Sequence, residues 1–372
     1  MIIKSVEAIP VRIPLKNPIK WATGYVPAIE NVIVKIEGED GTYGIAEGVQ
    51  RPGIYGETQE SIYYAIKNHL APLLIGEDSF NLERIWEKCN VLVWNLAAKG
   101  AIDIALYDLN GKILNIPIYN LLGGCYRKEI SLSWTSFGTF FELDEMVDDA
   151  KKRYDQGYRA VKVKAGVDPD KDIEVCRLIH EACGPEMKIN IDPNMVYSRE
   201  QALRVGLELT GILDSYEEPL PSWDDEGRKE LARRLTIPIL SDESTFTVPA
   251  INHQLKLGAI GRLGIKLPRT GYTLSRKVIA MAEAANIPCQ ISTQAECDLG
   301  SVACAHLAAA FKQISLPCEI AVYTDDTLDY ADSMHILKKP PVIKQGMMIV
   351  PEGPGLGVEL DWEKIDKYRV QF

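Results

Sequence analysis

Ala160-Val161-Lys162-Val163-Lys164 is the stretch on which the fold turns. Two β-branched valines alternate with two lysines, the signature of a short strand with one apolar and one charged face, and the run ends on a charge just before Gly166. The same grammar repeats outward in both directions: a β-branched run ends on polar residues and an amphipathic helix follows. The runs fall at 130–134, 160–164, 188–192, 213–217, 237–242, 261–266, 288–292 and 316–320. Helical periodicity fills the gaps at 143–156, 170–182, 198–209, 224–235, 248–257, 274–285 and 299–311. Eight strands alternating with helices predict an α/β protein of the (β/α)8, TIM-type barrel class. A doubly wound sheet would need a glycine-rich turn after its first strand, and none stands there.

Upstream of the barrel the pattern differs. Ile3, Val6, Ile9 and Val11, then residues 31–37, a Glu39-Asp40-Gly41 turn and residues 43–47 read as a small antiparallel meander. Helical periods follow at 58–76, 81–89 and 96–114, and Leu122-Gly123-Gly124 breaks them. Three segments are therefore expected: an N-terminal α+β domain (1–125), the barrel (126–340) and a C-terminal segment (341–372) that returns to the first domain. The Gly353-Pro354-Gly355-Leu356-Gly357 string follows no suitable strand and opens no helix, so it reads as a surface turn rather than a phosphate loop.

Composition narrows the partners. The 372 residues carry 41 Lys+Arg against 52 Asp+Glu, a formal net charge of −11. No basic block is present, which argues against nucleic acid and anionic membrane and for a small-molecule ligand. Eight cysteines without CxxC spacing suit a reduced, cytoplasmic protein. The five histidines lie away from strand ends, so histidine-based zinc chemistry is not expected.

Barrel enzymes draw catalytic groups from the C-terminal ends of their strands. Here those ends read Lys162-Val163-Lys164, Asp192-Pro193-Asn194, Glu217-Glu218, Asp242-Glu243 and Gly264-Ile265-Lys266. Strand alternation points Lys162 and Lys164 into the barrel mouth together. Asp192, Glu217 and Asp242 converge there from three adjacent strands, and three packed carboxylates repel unless a hard cation neutralises them, with Mg²⁺ the natural candidate and Mn²⁺ its substitute. Lys164 and Lys266 flank the acids and set a base on either face of whatever the metal holds. That arrangement suits removal of a proton next to a carboxylate through an enediolate. Glu218 and Glu243 read as supporting or helix-terminal acids.

With those strand ends in place, the chain resembles the enolase superfamily, in its mandelate racemase and muconate lactonizing enzyme group and on the muconate lactonizing side. The resemblance runs over nearly the whole chain and implies that the N-terminal domain caps the barrel. It implies Asp192, Glu217 and Asp242 as metal ligands, Lys164 and Lys266 as bases, Lys162 as their assistant at the substrate carboxylate, and Asn194 as a supporting group. It also sets Glu296 and Glu319 where the family carries substrate-facing acids, and brings the loops holding Trp21, Tyr25 and Tyr55 over the mouth. Two departures stand out: Gly261 where the family usually has Asp, and Gly271-Tyr272 where it has Gly-Gly, so Tyr272 is expected to alter the pocket wall.

The expected activity is a Mg²⁺-dependent isomerase, a racemase or epimerase of an amino-acid derivative using Lys164 and Lys266. Muconate-type cycloisomerisation is the alternative, as are a syn-dehydratase and an acyl-succinate synthase on the same scaffold, with a Schiff-base aldolase more distant. Glu296, Glu319, Asp325 and Asp326 tilt the expected substrate towards one with an amino or quaternary ammonium group. A homo-oligomer is expected from the family.

Overall fold

A computed structural model describes residues 1–136, 142–320 and 334–372. Strands β1 (Ile3–Trp21), β2 (Gly24–Gly38) and β3 (Tyr43–Gly48) form an antiparallel sheet in sequence order. Against it packs helix Leu96–Leu114, buried along nearly its whole length, so its apolar residues are spread around the helix rather than gathered on one face. Gly44 permits the contact, because a side chain there would collide with the Ala105 carbonyl.

The barrel is built from β4 (Glu129–Ser131), β5 (Trp134–Ser136), β6 (Ala160–Lys164), β7 (Lys188–Asp192), β8 (Leu213–Glu217), β9 (Ile239–Ser241), β10 (Arg262–Ile265) and β11 (Cys289–Ile291). Strands β5 to β11 form one parallel sheet in sequential order. Residues around Cys318 close the ring. The Ser133 amide donates to the Cys318 carbonyl at 2.8 Å, the Cys318 amide to the Ser131 carbonyl at 2.7 Å, and the Glu319 amide to the Ile291 carbonyl at 2.8 Å. A short hairpin, β12 (Ile343–Lys344) and β13 (Met347–Ile349), pairs antiparallel with β4. The final helix, Trp362–Tyr368, lies near β1, where the Val370 amide donates to the Pro10 carbonyl at 2.9 Å.

Four details differ from the sequence expectation. The first barrel run splits into β4 and β5 because one stretch serves two partners, the C-terminal hairpin through β4 and strand β6 through β5. The eighth run forms isolated bridges rather than a ladder, consistent with Pro317 lacking an N–H to donate. The helix expected from residue 274 begins at Leu267 and bends at Gly271, whose φ is +55°. Only glycine fits there, since the Asp103 carboxylate occupies the space of a side chain. Finally, the 353–357 string is no surface turn: Leu356 is buried, and its amide donates to Asp108 Oδ1 at 2.7 Å.

All eight cysteines are free, and all but Cys125 are buried. Among the described residues no helix is long and apolar enough to cross a membrane.

Candidate active site

Parallel register assembles the site. Lys164 and Asp192 are Cα partners across β6 and β7, as are Lys162 and Asn190, and Asn190 pairs onward with Ser215 of β8. Residues two apart share a face, so Lys162 with Lys164, Asn190 with Asp192, and Ser215 with Glu217 all turn inward. Lys162, 2% exposed, contacts three carboxylates: Glu319 at 2.7 Å, Glu217 at 2.8 Å and Asp192 at 3.3 Å. Lys164 lies 2.5 Å from Asp192 and donates to Asn194 Oδ1 at 3.2 Å. On the far side Lys266 is 2.5 Å from one oxygen of Asp242, and Arg269 is 2.9 Å from the other. Strands β7, β8 and β9 thus carry the three acids in one arc, with a lysine on β6 at one edge and a lysine just after β10 at the other.

Burial and mutual charge set the protonation landscape. Burial raises Asp192, but Lys164 and Lys162 outweigh it and hold the carboxyl below its ordinary range. Asp242 is likewise held low by Lys266 and Arg269 against its burial. Glu217 goes the other way: burial pushes it well up, and Asp192, Glu319 and Asp242 add like charge that Lys162 does not cancel. Lys162 itself stays raised because those acids overcome its desolvation. Glu218 is fixed structurally, accepting the amides of Asp242 and Ser244 at 2.6 and 2.9 Å, with Arg228 at 3.4 Å. Glu243 accepts from Asn194 at 3.1 Å, its Oε2 is buried without a hydrogen-bond partner, and burial with Asp242 and Asp192 pushes its carboxyl up to about 8.

The cavity above this arc is lined by Lys162, Lys164, Asn194 and Lys266 from the barrel, by Trp21, Arg51 and Ile54 from the N-terminal domain, and by Thr135 and Gln294. Other expected site residues lie elsewhere. Tyr25 is exposed, and the Tyr55 hydroxyl donates to the Val49 carbonyl. Tyr272 is buried against Tyr107, with its hydroxyl on the Ala303 carbonyl, and does not line this cavity. Glu319 is committed to Lys162, Asn190 and Gln290, and Glu296 to the Gln294 amide and the Thr293 hydroxyl. Neither lines the cavity, which removes their support for a cationic substrate group; Asp325 and Asp326 lie outside the described residues. Sequence reading did not single out Asn190, Arg269, Thr135 or Gln294. Asn190 was findable, standing two residues before Asp192 on the same strand face.

The donor set fits a hard divalent cation. It is all oxygen, it comes from three successive strand ends, and Glu217 bears uncompensated like charge that a dication would relieve. Among the described residues no three acids are already drawn together as a metal cage; each leans on a lysine or arginine instead.

A closed barrel with an acid arc between two lysines, covered by an α+β cap, defines a class of metal-dependent barrel enzymes that work on carbon acids. Family comparison narrows this further. Residues 3–123 match the mandelate racemase / muconate lactonizing enzyme N-terminal domain, and residues 145–364 match the enolase C-terminal domain-like family. The chain belongs to the mandelate racemase / muconate lactonizing enzyme family, whose members are metal-dependent. It is 31% identical to an L-Ala-D/L-Glu epimerase of Clostridium acetobutylicum, over 96% of this chain and 99% of that one. It is 30% identical to muconate cycloisomerase 1 of Rhodococcus opacus, over 98% and 97%. The solved structure of a dipeptide epimerase from Enterococcus faecalis, complexed with Mg and L-Leu-L-Tyr, superposes with a TM-score of 0.89 at 29% identity, covering 96% of this chain and 100% of that one.

Proposed function

We infer that the protein is a metal-dependent isomerase that removes the α-proton of a small carboxylate substrate, acting as a racemase or epimerase of an amino-acid derivative. One observation carries this reading: Lys164 and Lys266, on strands that bracket the acid arc, line a single cavity from opposite edges. Transfer of a proton from one face of a carbon to the other requires two such groups. Lys164 takes the proton from one face and Lys266 returns it on the other, with the direction reversed for the other stereoisomer. Lys162 supplies fixed positive charge at the carboxylate end, and Asn194 orients Lys164.

Asp192, Glu217 and Asp242 are the proposed ligands of Mg²⁺, with Mn²⁺ as a substitute. When bound, the ion supplies positive charge that stabilises the negative charge developing on the substrate carboxylate. The proposal includes a cap at 1–125, a barrel at 126–340 and a returning segment at 341–372; the N-terminal family match, which ends at residue 123, supports the first of these limits. It includes a cytoplasmic setting, supported by the free cysteines. It also includes a homo-oligomer, for which exposed Val91, Val93, Trp94 and Trp223 offer apolar surface.

Cycloisomerisation of a muconate-type diacid is the second reading, favoured by the likeness to the Rhodococcus enzyme. Proton exchange separates the two. With Mg²⁺ in D₂O, ¹H NMR of pooled N-acyl amino acids, dipeptides and muconates is expected to show α-proton loss from an amino-acid derivative. Consumption of muconate without any such exchange would replace the first reading by the second.

A further inference from the structure

Lys266 stands where a barrel strand gives way to a helix, and the first turn of that helix is set apart from the rest. Helix Leu267–Ala284 bends at Gly271, so residues 266–270 form a turn whose direction differs from that of the helix body. That turn carries both cations of Asp242, Lys266 at 2.5 Å and Arg269 at 2.9 Å. Within it the Arg269 amide donates to the Lys266 carbonyl at 3.0 Å, and the Thr270 hydroxyl donates to the same oxygen at 3.2 Å. Across the bend Thr270 also meets the Ser275 hydroxyl at 2.7 Å. Lys266 and Arg269 are therefore one unit, and whatever fixes the bend aims both.

The bend is gripped from the other domain. One face of the cap helix Leu96–Leu114 carries Gly100, Asp103 and Tyr107, at the three- and four-residue steps that share a helix face. A side chain at Gly100 would stand 2.2 Å from the Pro268 carbonyl, so the cap backbone rests directly on the first turn. Past the bend the helix restarts, and a restarting helix has amides with no acceptor of its own. Asp103, 3% exposed, takes one of them: it accepts the Thr273 amide at 3.0 Å and the Thr273 hydroxyl at 2.5 Å. Its Oδ2 also fills the space that a side chain on Gly271 would need. Tyr107 completes the grip by packing on Tyr272, with ring centroids 5.0 Å apart. Asp103 itself does not line the cavity.

We propose that Asp103 is a positioning residue for the second base: from the cap it sets the bend at Gly271 that holds Lys266, together with Arg269, against Asp242. The cap then contributes to the chemistry by aiming a base as well as by lining the cavity. The inference rests on the two-base reading above. It makes the two lysines unequal, because Lys164 lies on β6 and is fixed by the strand ladder, whereas Lys266 depends on a contact between domains.

Two readouts on the full chain test this. In the first, which needs no substrate, lysines are acetylated with dilute acetic anhydride, and labelling of Lys266 is compared with that of Lys164 by peptide mass spectrometry. Asp103→Ala is expected to raise the Lys266-to-Lys164 ratio about tenfold, the effect on local opening of losing a hydrogen bond to a carboxylate. Asp103→Asn keeps both bonds to Thr273 and should restore the wild-type ratio. In the second, α-proton exchange with Mg²⁺ is followed in each stereoisomer of whichever pooled N-acyl amino acid or dipeptide reacts. Asp103→Ala should slow it by about 10²-fold in the stereoisomer that Lys266→Ala affects and leave the other unchanged, as misplacement of one reacting group would. If Asp103→Ala does not fold, Thr273→Val, which removes only the hydroxyl, should move the labelling ratio the same way. An unchanged ratio in a folded variant, equal effects on the two lysines, or slowing of both stereoisomers where Lys266→Ala slows one would overturn the proposal. A raised ratio alongside a Lys266→Ala variant that slows both stereoisomers equally would uphold it and sink the two-base reading.

Discussion

Lys164 Nζ and Asp192 Oδ2 lie 2.5 Å apart on residues that are register partners across β6 and β7. The same lysine donates to Asn194 Oδ1, two residues past that aspartate. A proposed base is thus held by a proposed metal ligand and its neighbour, and the parallel ladder fixes all three. On the other side Lys266 is likewise held by a proposed ligand, Asp242, 2.5 Å away.

The two lysines should therefore fail differently. Lys164→Ala is expected to abolish α-proton exchange from one stereoisomer and Lys266→Ala from the other, each by roughly 10²–10⁴-fold, the usual worth of a positioned base. Isotope exchange into each enantiomer, followed separately, checks this. Loss of both exchanges in one variant and neither in the other would mean a single base.

Removal of metal should stop the reaction and soften the protein. Chelation is expected to abolish exchange, and readdition of Mg²⁺ at about a hundredfold excess over its dissociation constant should stabilise the fold by about 3 kcal/mol. Calorimetry of wild type against Asp242→Asn tests it, the variant losing the ion-dependent rise in melting temperature.

Lys162 carries a stability burden besides any catalytic one. Lys162→Met leaves Asp192, Glu217 and Glu319 buried without their shared cation. Breaking such a buried set by removing one partner costs about 3–5 kcal/mol. Urea unfolding should show that loss, and adding Glu319→Gln should recover part of it. A Lys162→Met protein as stable as wild type would contradict the network's role.

Glu47 should make the cap–barrel joint sensitive to pH. It accepts the Cys297 and Gly300 amides at the start of helix Asp298–Ala310, and burial pushes its carboxyl up to about 7 against those bonds. A raised carboxyl means the folded state holds the proton more tightly than the unfolded one. Its stabilising effect is therefore complete below the unfolded value near 4.5 and is lost as pH rises to about 7. The span corresponds to about 3 kcal/mol at most. Stability to urea should fall less steeply between pH 5 and 7 for Glu47→Gln than for wild type; parallel curves would show that Glu47 does not titrate there.

The strand-end residues were readable in the sequence because one ionisable group recurs per βα unit and strand alternation dictates its direction. Lys162, Lys164, Asp192, Glu217, Asp242 and Lys266 follow from that rule, and the ring of parallel strands follows from the same period. Tyr25, Tyr55 and Tyr272 show where the rule stops. Whether a loop aromatic faces inward depends on hairpin phase and on which carbonyl its hydroxyl reaches, and neither is periodic. Glu319 and Glu296 were readable as positions but not as commitments, because their partners, Lys162 and the Gln294 amide, belong to other strands or to the backbone. Gln294 and Thr135 gave no signal at all, since lining a cavity is a property of the surroundings and not of the residue.

The seam at Cys318 bears on how the chain reaches this state. Neighbouring pairs such as β6 with β7 and β7 with β8 join segments close in sequence, and such local contacts form fast. Joining the segment around Cys318 to Ser131 and Ser133 means closing a loop over nearly the entire barrel, which carries the largest entropic cost of any pairing in the ring. That same step delivers Glu319 to Lys162. Ring closure and completion of the buried charge network are thus one event, and the amides of Cys318 and Glu319 are expected to be among the last to gain protection in pulse-labelled refolding.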